Sequence, residues 1–451
     1  MTRPALPEGS RLTACGSKRE QWAWYVYDWA NSAFPTTVVT LFFGPYLTSL
    51  AKTAAGPDGV VEVLGAKLAA GSVWSYLISL SVLSQVIALP LLGAIADYGR
   101  RKRELLGLTA LTGAAATALM FLLTDGDYLL GCALFLTANL AFGASVVLYN
   151  AFLPEIAGAA ERDAVSSNGW AIGYLGGGLL LALNLLLYAR AEPLGLSEGA
   201  AVRISLASAG LWWALFTIPT LLGLRNRAAR KSLAPGDNLL AAGLRQLGYT
   251  LGRIRRYPQT LLFLVAFLIY NDGIQTVITL AGQFGHEALG LSMGVLTGSI
   301  LVAQFFGVAG ALVFKQVAGW IGNKRAVMVS LGIWCVTLIY VYGWVKSATD
   351  FYVMAATVGL VMGGSQALSR SIYSFLIPAG QEAEYFSLYE ISDKGTSWLG
   401  PLLYGLAIQY TGDYRMAVVS LIVFFVAGLA LLARVDVRRG AREAGHEALR
   451  R

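Results

Sequence analysis

Long apolar runs separated by short polar joints dominate the chain, and each has about the 20 residues that an α-helix needs to cross the hydrocarbon core of a bilayer. Twelve runs are predicted, at residues 22–50, 74–96, 105–123, 128–153, 165–187, 204–222, 261–284, 291–318, 326–344, 352–377, 386–408 and 417–432. A bilayer core leaves backbone polar groups unsatisfied unless they pair internally, so no open sheet is expected to cross it. The predicted fold is therefore all-α, a polytopic membrane protein of twelve transmembrane helices. Residues 1–21 read as a leader, 22–224 as a first six-helix bundle, 225–257 as a connector, 258–434 as a second six-helix bundle and 435–451 as a tail.

Composition agrees with this pattern. Over 451 residues, 56% are hydrophobic and 13% charged, with a mean hydropathy of +0.60, too few charges to coat a soluble globule. The net charge of +8 lies in short joints between spans, where membrane topology accounts for it and a nucleic-acid partner is not expected. Lys and Arg gather in the leader, the 100–103 run, the connector, Lys324, Arg325 and the tail. The opposite joints hold only Lys52, Lys67, Arg190, Arg203, Lys346 and Arg415. By the positive-inside rule, both termini and the connector are expected in the cytoplasm. Residues 1–20 lack an apolar core, so no cleavable signal peptide is expected. Within the connector, residues 239–254 space apolar positions among arginines as a short amphipathic surface helix would.

The two halves repeat. One constant offset places Arg100 and Arg101 on Lys324 and Arg325, Ser145 on Ser369, Tyr149 and Pro154 on Tyr373 and Pro378, and Leu175 and Gly176 on Leu399 and Gly400. Asp28 and Asp272 need a larger offset, which the longer joint at 51–70, compared with 286–290, supplies. Parallel six-helix repeats characterise a class of secondary transporters with a site between the halves near the midplane.

Longer strings carry a specific resemblance: YDWANSAF at 27–34, YNAFLPEI at 149–156, GWAIGYLGG at 169–177, YNDGIQT at 270–276, GGSQALSRS at 363–371 and LYEISDKGTSWLGP at 388–401. With Gly93-Ala-Ile-Ala-Asp97-Tyr-Gly99-Arg100-Arg101-Lys102, the chain resembles the major facilitator superfamily, in the bacterial branch that includes the autophagy-related vacuolar amino-acid effluxers. The resemblance implies the major facilitator fold and a cavity lined by the first, fourth, seventh and tenth spans, with the fifth and eleventh beside them. It also implies a gate latch at Asp97, Arg100 and Arg101.

Charge inside a span costs about 2.5–3.5 kcal/mol on insertion scales, so such residues face protein or water and mark function. Asp28 and Asn31 stand three apart on the first span, Asn150 lies on the fourth, and Asp272 and Gln275 share the seventh. Gln366 and Arg370 stand four apart on the tenth, and Glu390, Asp393 and Lys394 share a face of the eleventh. Arg370 has the geometry to hold a carboxylate or phosphate; the competing reading pairs it with Asp28, Asp272 or an acid of the eleventh span. Glu390 and Lys394 are spaced to form a fixed ion pair. Since His286 and His446 lie outside the spans, any carried proton falls to Asp28, Asp272 or Asp393. Glycines 169, 173 and 177 form a ridge that lets two helices approach. Pro401 either kinks a gating helix or is simply tolerated, and Lys315 is expected to snorkel to the inner interface.

Cys15, Cys132 and Cys335 give no disulfide framework. No metal-binding histidine pair, phosphate-binding Walker loop or nucleophile elbow is found, so neither an enzyme, a cofactor or metal, nor direct ATP coupling is expected. The expected function is alternating-access transport of a small zwitterionic or anionic solute, with amino acids the leading class, coupled to protons, by a monomer in a lipid bilayer. The alternatives are a carrier of lipid-like solutes, suited by Tyr25, Trp29, Tyr149 and Tyr270, and a non-transporting scaffold or sensor docking through the connector.

Overall fold

The computed structural model describes residues 17–445, apart from 56, 64, 71–72, 99–100, 125, 159, 228–251, 253, 379, 395–398 and 412. The amphipathic segment expected at 239–254 lies almost wholly outside the described residues, as does Arg100.

The first span is built in three pieces. Helix α1 (Lys18–Asn31) starts at a capping box, Ser17 Oγ accepting from Glu20 N at 3.3 Å while Glu20 Oε2 accepts from Ser17 N at 2.9 Å. A π-helical segment (Phe34–Phe42) follows, then α2 (Phe43–Ala54). Pro35 cannot donate a backbone bond, and the ladder widens there. Hydroxyls fill in, Thr36 Oγ1 donating to Ser32 O at 2.7 Å and Thr40 Oγ1 to Pro35 O at 2.8 Å.

The joint after α2 is not wholly irregular. Strands β1 (Val60–Val63) and β2 (Ala66–Ala69) form an antiparallel hairpin, Val60 opposite Ala69 and Val63 opposite Ala66. With four residues each, they are far shorter than the 9–11 a membrane strand needs, so they qualify the all-helical expectation only outside the spans.

The N half continues with α3 (Val73–Tyr98), α4 (Lys102–Leu119), α5 (Tyr128–Asn150), α6 (Leu153–Ile156), α7 (Arg162–Ala189) and α8 (Glu198–Gly223). The C half holds α9 (Pro258–Glu287), α10 (Met293–Ile321), α11 (Asn323–Gly343), α12 (Ala348–Leu376), α13 (Glu382–Lys394), α14 (Leu399–Thr411), α15 (Tyr414–Ser420), α16 (Ile422–Arg434) and the short α17 (Val437–Glu443). Among the described residues, 10 helical stretches are long and apolar enough to cross a membrane. The first and eleventh predicted spans complete the set in pieces, the eleventh as α13 and α14 on either side of 395–398.

Two apolar cores form. One surrounds Trp24, Phe34, Phe43, Phe135, Tyr149 and Trp213; the other surrounds Tyr270, Trp334, Tyr373, Tyr385 and Phe425. Each takes one member from the opposite half: Ala383 joins the first and Tyr174 the second. Large apolar side chains such as Leu108, Leu215 and Val336 stay exposed on outer helix faces, where lipid is the natural solvent. The halves meet where α7 packs on α10 and α12 and where α3 and α5 pack on α13.

Candidate functional site

The end of the bundle where α1 begins, α7 begins and α12 finishes is called the terminal end here, and the halves are bonded across it. Gln21 of α1 donates to Ile156 O and Glu161 Oε2, both at 3.2 Å, which fixes the start of α1 beside that of α7. Across the divide, Arg162 Nη1 donates to Ser374 O at 2.8 Å, with its guanidinium 4.9 Å from the Phe375 ring centre. Asp163 accepts from Ser371 Oγ and from Asn323 Nδ2. Ser166 Oγ donates to Ala367 O at 2.7 Å. Farther along the same two helices, Tyr174 Oη donates to Gln366 Oε1 at 2.6 Å.

Arg370 sits within this ladder. It lies six residues before the end of α12, about 9 Å along the axis at 1.5 Å per residue, so it stands nearer the terminal end than the midplane. Its Nε donates to Ser166 Oγ at 2.9 Å and its Nη2 to Ser166 O at 2.8 Å. Both Nη1 and Nη2 approach Asp28 Oδ2 at 3.4 Å, and Nη1 approaches Asn150 Oδ1 at 3.5 Å. The guanidinium carbon lies 4.7 Å from the Trp24 ring centre, 5.3 Å from that of Trp170 and 5.8 Å from that of Tyr149. Arg370 and Asp28 are only 3% and 7% exposed. The ion pair converges on one carboxylate oxygen at long range, short of a two-oxygen fork, so the shortest bonds of Arg370 go to Ser166.

Glycine makes this crowding possible. A Cβ on Gly169 would lie 2.5 Å from Asp28 Oδ2, 2.6 Å from Trp24 Cζ3 and 3.2 Å from Arg370 Nη2. Farther along α7, a Cβ on Gly173 would meet Ser32 Oγ at 2.9 Å, and one on Gly177 would meet Ser32 O at 3.0 Å. The ridge thus packs α1 on α7 at two positions and makes room for the charge pair at the third.

The other predicted residues divide. Asn150 Nδ2 donates to Glu390 Oε1 at 3.0 Å, so the first, fourth, tenth and eleventh spans share one buried polar group. Gln366 bonds Tyr174, as above, and Asn31 is buried on α1. Asp272 and Gln275 are not brought to Arg370. The Asp272 carboxylate is buried between α9 and the start of α14, facing the Gly400 backbone, and neither oxygen makes a standard hydrogen bond among the described residues. The side chains of Asp393 and Lys394 lie outside the described residues, and with them the Glu390–Lys394 pairing. Lys315, six residues before the end of α10, donates from Nζ to Asn168 Oδ1 of α7 at 2.9 Å, a further bond between the halves near the terminal end.

Of the expected latch, Arg101 is exposed just before α4, and the Asp97 side chain lies outside the described residues. Gly93 does touch the C half: a Cβ there would lie 2.5 Å from Ala383 O, so α3 and α13 meet backbone to backbone. Next to the latch, Lys102 Nζ bonds Glu155 Oε1 at 2.7 Å within the N half.

Sequence reasoning missed Ser166, Gly169 and Trp170 as parts of one site with Arg370. Ser166, Gly169 and Gly173 stand three and four apart, a single small-residue face on α7, and that spacing was the available signal.

A bundle of membrane-length helices joined around buried charges has solved counterparts. The fold matches a bacterial homologue of the iron transporter ferroportin in an outward-facing state, with a TM-score of 0.67 and 14% identity over 93% of this chain and 99% of that one. It matches the proton:xylose symporter XylE, of the major facilitator superfamily, equally well, with a TM-score of 0.67 and 12% identity over 93% and 95%. The fold is that of the major facilitator superfamily.

The family can be stated more narrowly. A family model described as "Vacuole effluxer Atg22 like" matches residues 16–445, and the chain belongs to that family. It is similar to the uncharacterized MFS-type transporter YxiO of Bacillus subtilis, 31% identical over 92% of this chain and 95% of that protein. It is also similar to autophagy-related protein 22-1 of Penicillium rubens, 28% identical over 95% and 91%.

Proposed function

We propose that the protein is a secondary transporter that moves a small zwitterionic solute, amino acids first, by alternating access between its halves. The observation that carries this reading is the buried Arg370 of the C half held against Asp28 of the N half. A permanent structural pair gains from short two-oxygen geometry, whereas two long contacts to a single oxygen leave the pair open to exchange. A solute bearing a carboxylate and an ammonium can satisfy each charge as it parts them, and only a solute with differential affinity for the parted state shifts the equilibrium. Binding would then unlock the terminal end.

The effluxer description of the family supports transport out of a compartment, the Bacillus relative supports a bacterial inner membrane, and the Lys and Arg asymmetry supports a terminal end in the cytoplasm. In that orientation the halves are bonded together on the cytoplasmic side. Proton coupling through Asp28, Asp272 or Asp393, and action as a monomer, belong to the same proposal. Counterflow of labelled amino acids in liposomes containing the purified protein tests it. Accumulation above empty liposomes that is lost in Arg370→Ala supports the reading; background counterflow across the amino acids, or full activity in Arg370→Ala, rejects it.

A further inference from the structure

Among the described residues, the hydrogen bonds and ring contacts of the Arg370 guanidinium go to walls built by the other half, with Tyr389 of its own half close by. Trp24 and Asp28 stand on α1, Tyr149 and Asn150 on α5, and Ser166 and Trp170 on α7; Arg370 supplies the bound cation. These walls are also held without Arg370. Trp24 Nε1 donates to Tyr149 O at 3.0 Å, and the two rings stack with centres 4.4 Å apart, 14° from parallel. The glycine ridge packs α1 on α7 independently of the C half. The result is a preformed pocket of aromatic faces, one carboxylate and one backbone carbonyl, which is the chemistry that recognises an organic cation.

Alternating access must draw α12 away from α7, and with it Arg370. The pocket then opens with the Asp28 carboxylate uncompensated in a poorly hydrated place, a state that calls for another cation. We propose that the N half carries a complete subsite for the cationic group of the solute, an organic ammonium or guanidinium, and that Arg370 is its tethered stand-in while the terminal end is shut. The inference rests on the transporter reading and deepens it. The cationic group is read by Asp28 and its aromatic cage, and Arg370 competes with it for that place.

The test separates binding from transport. Full-length Arg370→Ala and Arg370→Gln, purified in detergent, are titrated with methylguanidinium, with N-methylurea as the neutral mimic and acetate as the anion, following thermal stability and tryptophan fluorescence. Two variants are used because one side chain truncation in a buried place can impair folding. The expected result is saturable stabilisation by methylguanidinium alone, with affinity lowered roughly tenfold to hundredfold when Asp28→Asn is added, the span expected for loss of a charge-assisted bond. No response to methylguanidinium in either variant, an equal response to N-methylurea, or an affinity unchanged by Asp28→Asn would overturn the proposal. Cation binding without amino-acid counterflow would leave the subsite standing and remove the proposed solute. Counterflow without cation binding would do the reverse.

Discussion

Breaking the Asp28–Arg370 pair from one side should cost more than neutralising it from both. At 3.4 Å and an effective dielectric constant of about 20, the gross attraction is about 5 kcal/mol, and desolvation of two buried ions offsets much of it. Arg370→Gln leaves Asp28 buried as an unmatched anion, a change costing about 3–5 kcal/mol by analogy with other broken buried pairs. Asp28→Asn is milder, because Arg370 keeps both bonds to Ser166 and its aromatic neighbours. The double variant, Asp28→Asn with Arg370→Gln, leaves no buried ion at this place and should recover stability, with a coupling energy of about 1–3 kcal/mol. The assay is unfolding of the four proteins in one detergent by intrinsic fluorescence. The expected order of melting, from lowest, is Arg370→Gln, Asp28→Asn, double variant, unaltered protein. Additivity within about 0.5 kcal/mol would refute the reasoning, since independent sites behave that way.

Two glycine substitutions probe the surrounding geometry. Gly169→Ala pushes a methyl into Asp28 and Trp24 and should cost about 1–3 kcal/mol in stability and abolish most counterflow; Gly199→Ala, where a Cβ meets only the Tyr46 ring at 3.8 Å, should change neither, and equal behaviour of the two would remove Gly169 from the site. Gly93→Ala forces α3 off the α13 backbone, and strain of about 1–3 kcal/mol shifts a two-state equilibrium roughly 5- to 150-fold. A cysteine placed at the buried Ser374 should therefore react faster with a maleimide in that background, and an unchanged rate would show that Gly93 does not hold the terminal end shut.

The spans were legible because bilayer thickness sets their length, and helix ends moved by only a few residues, as at 73–98 against 74–96. The π segment was hidden although Pro35 was visible, because local composition does not say whether a proline kinks a helix or widens it. The hairpin at 60–69 was hidden because strands this short leave a weak alternation signal. Asp28 and Arg370 stood out as charges in apolar runs, where their cost betrays them. Their pairing did not, because it depends on how α1, α7 and α12 register across the two halves. Tyr149 reads as an aromatic suited to a lipid-like solute, but its joining Trp24 and Trp170 around a guanidinium is not legible, since an aromatic residue in a span looks the same on a core face and in a cage. Asp272 was just as conspicuous as Asp28, yet it lies against the Gly400 backbone of α14 and is absent from the contacts of Arg370 among the described residues.

The central claim is that solute parts the halves at the terminal end by taking over the Asp28–Arg370 pair. The most direct test is the distance between spin labels on the exposed residues Ala160, beside α7, and Arg325, on α11, after replacing the three cysteines. It is measured by pulsed electron resonance in lipid nanodiscs with and without an amino acid that gives counterflow. The account predicts a single short distance without solute, a longer second population when solute is added, and a longer population without solute in the Asp28→Asn, Arg370→Gln double variant. A distribution that neither the solute nor the double variant changes would contradict it.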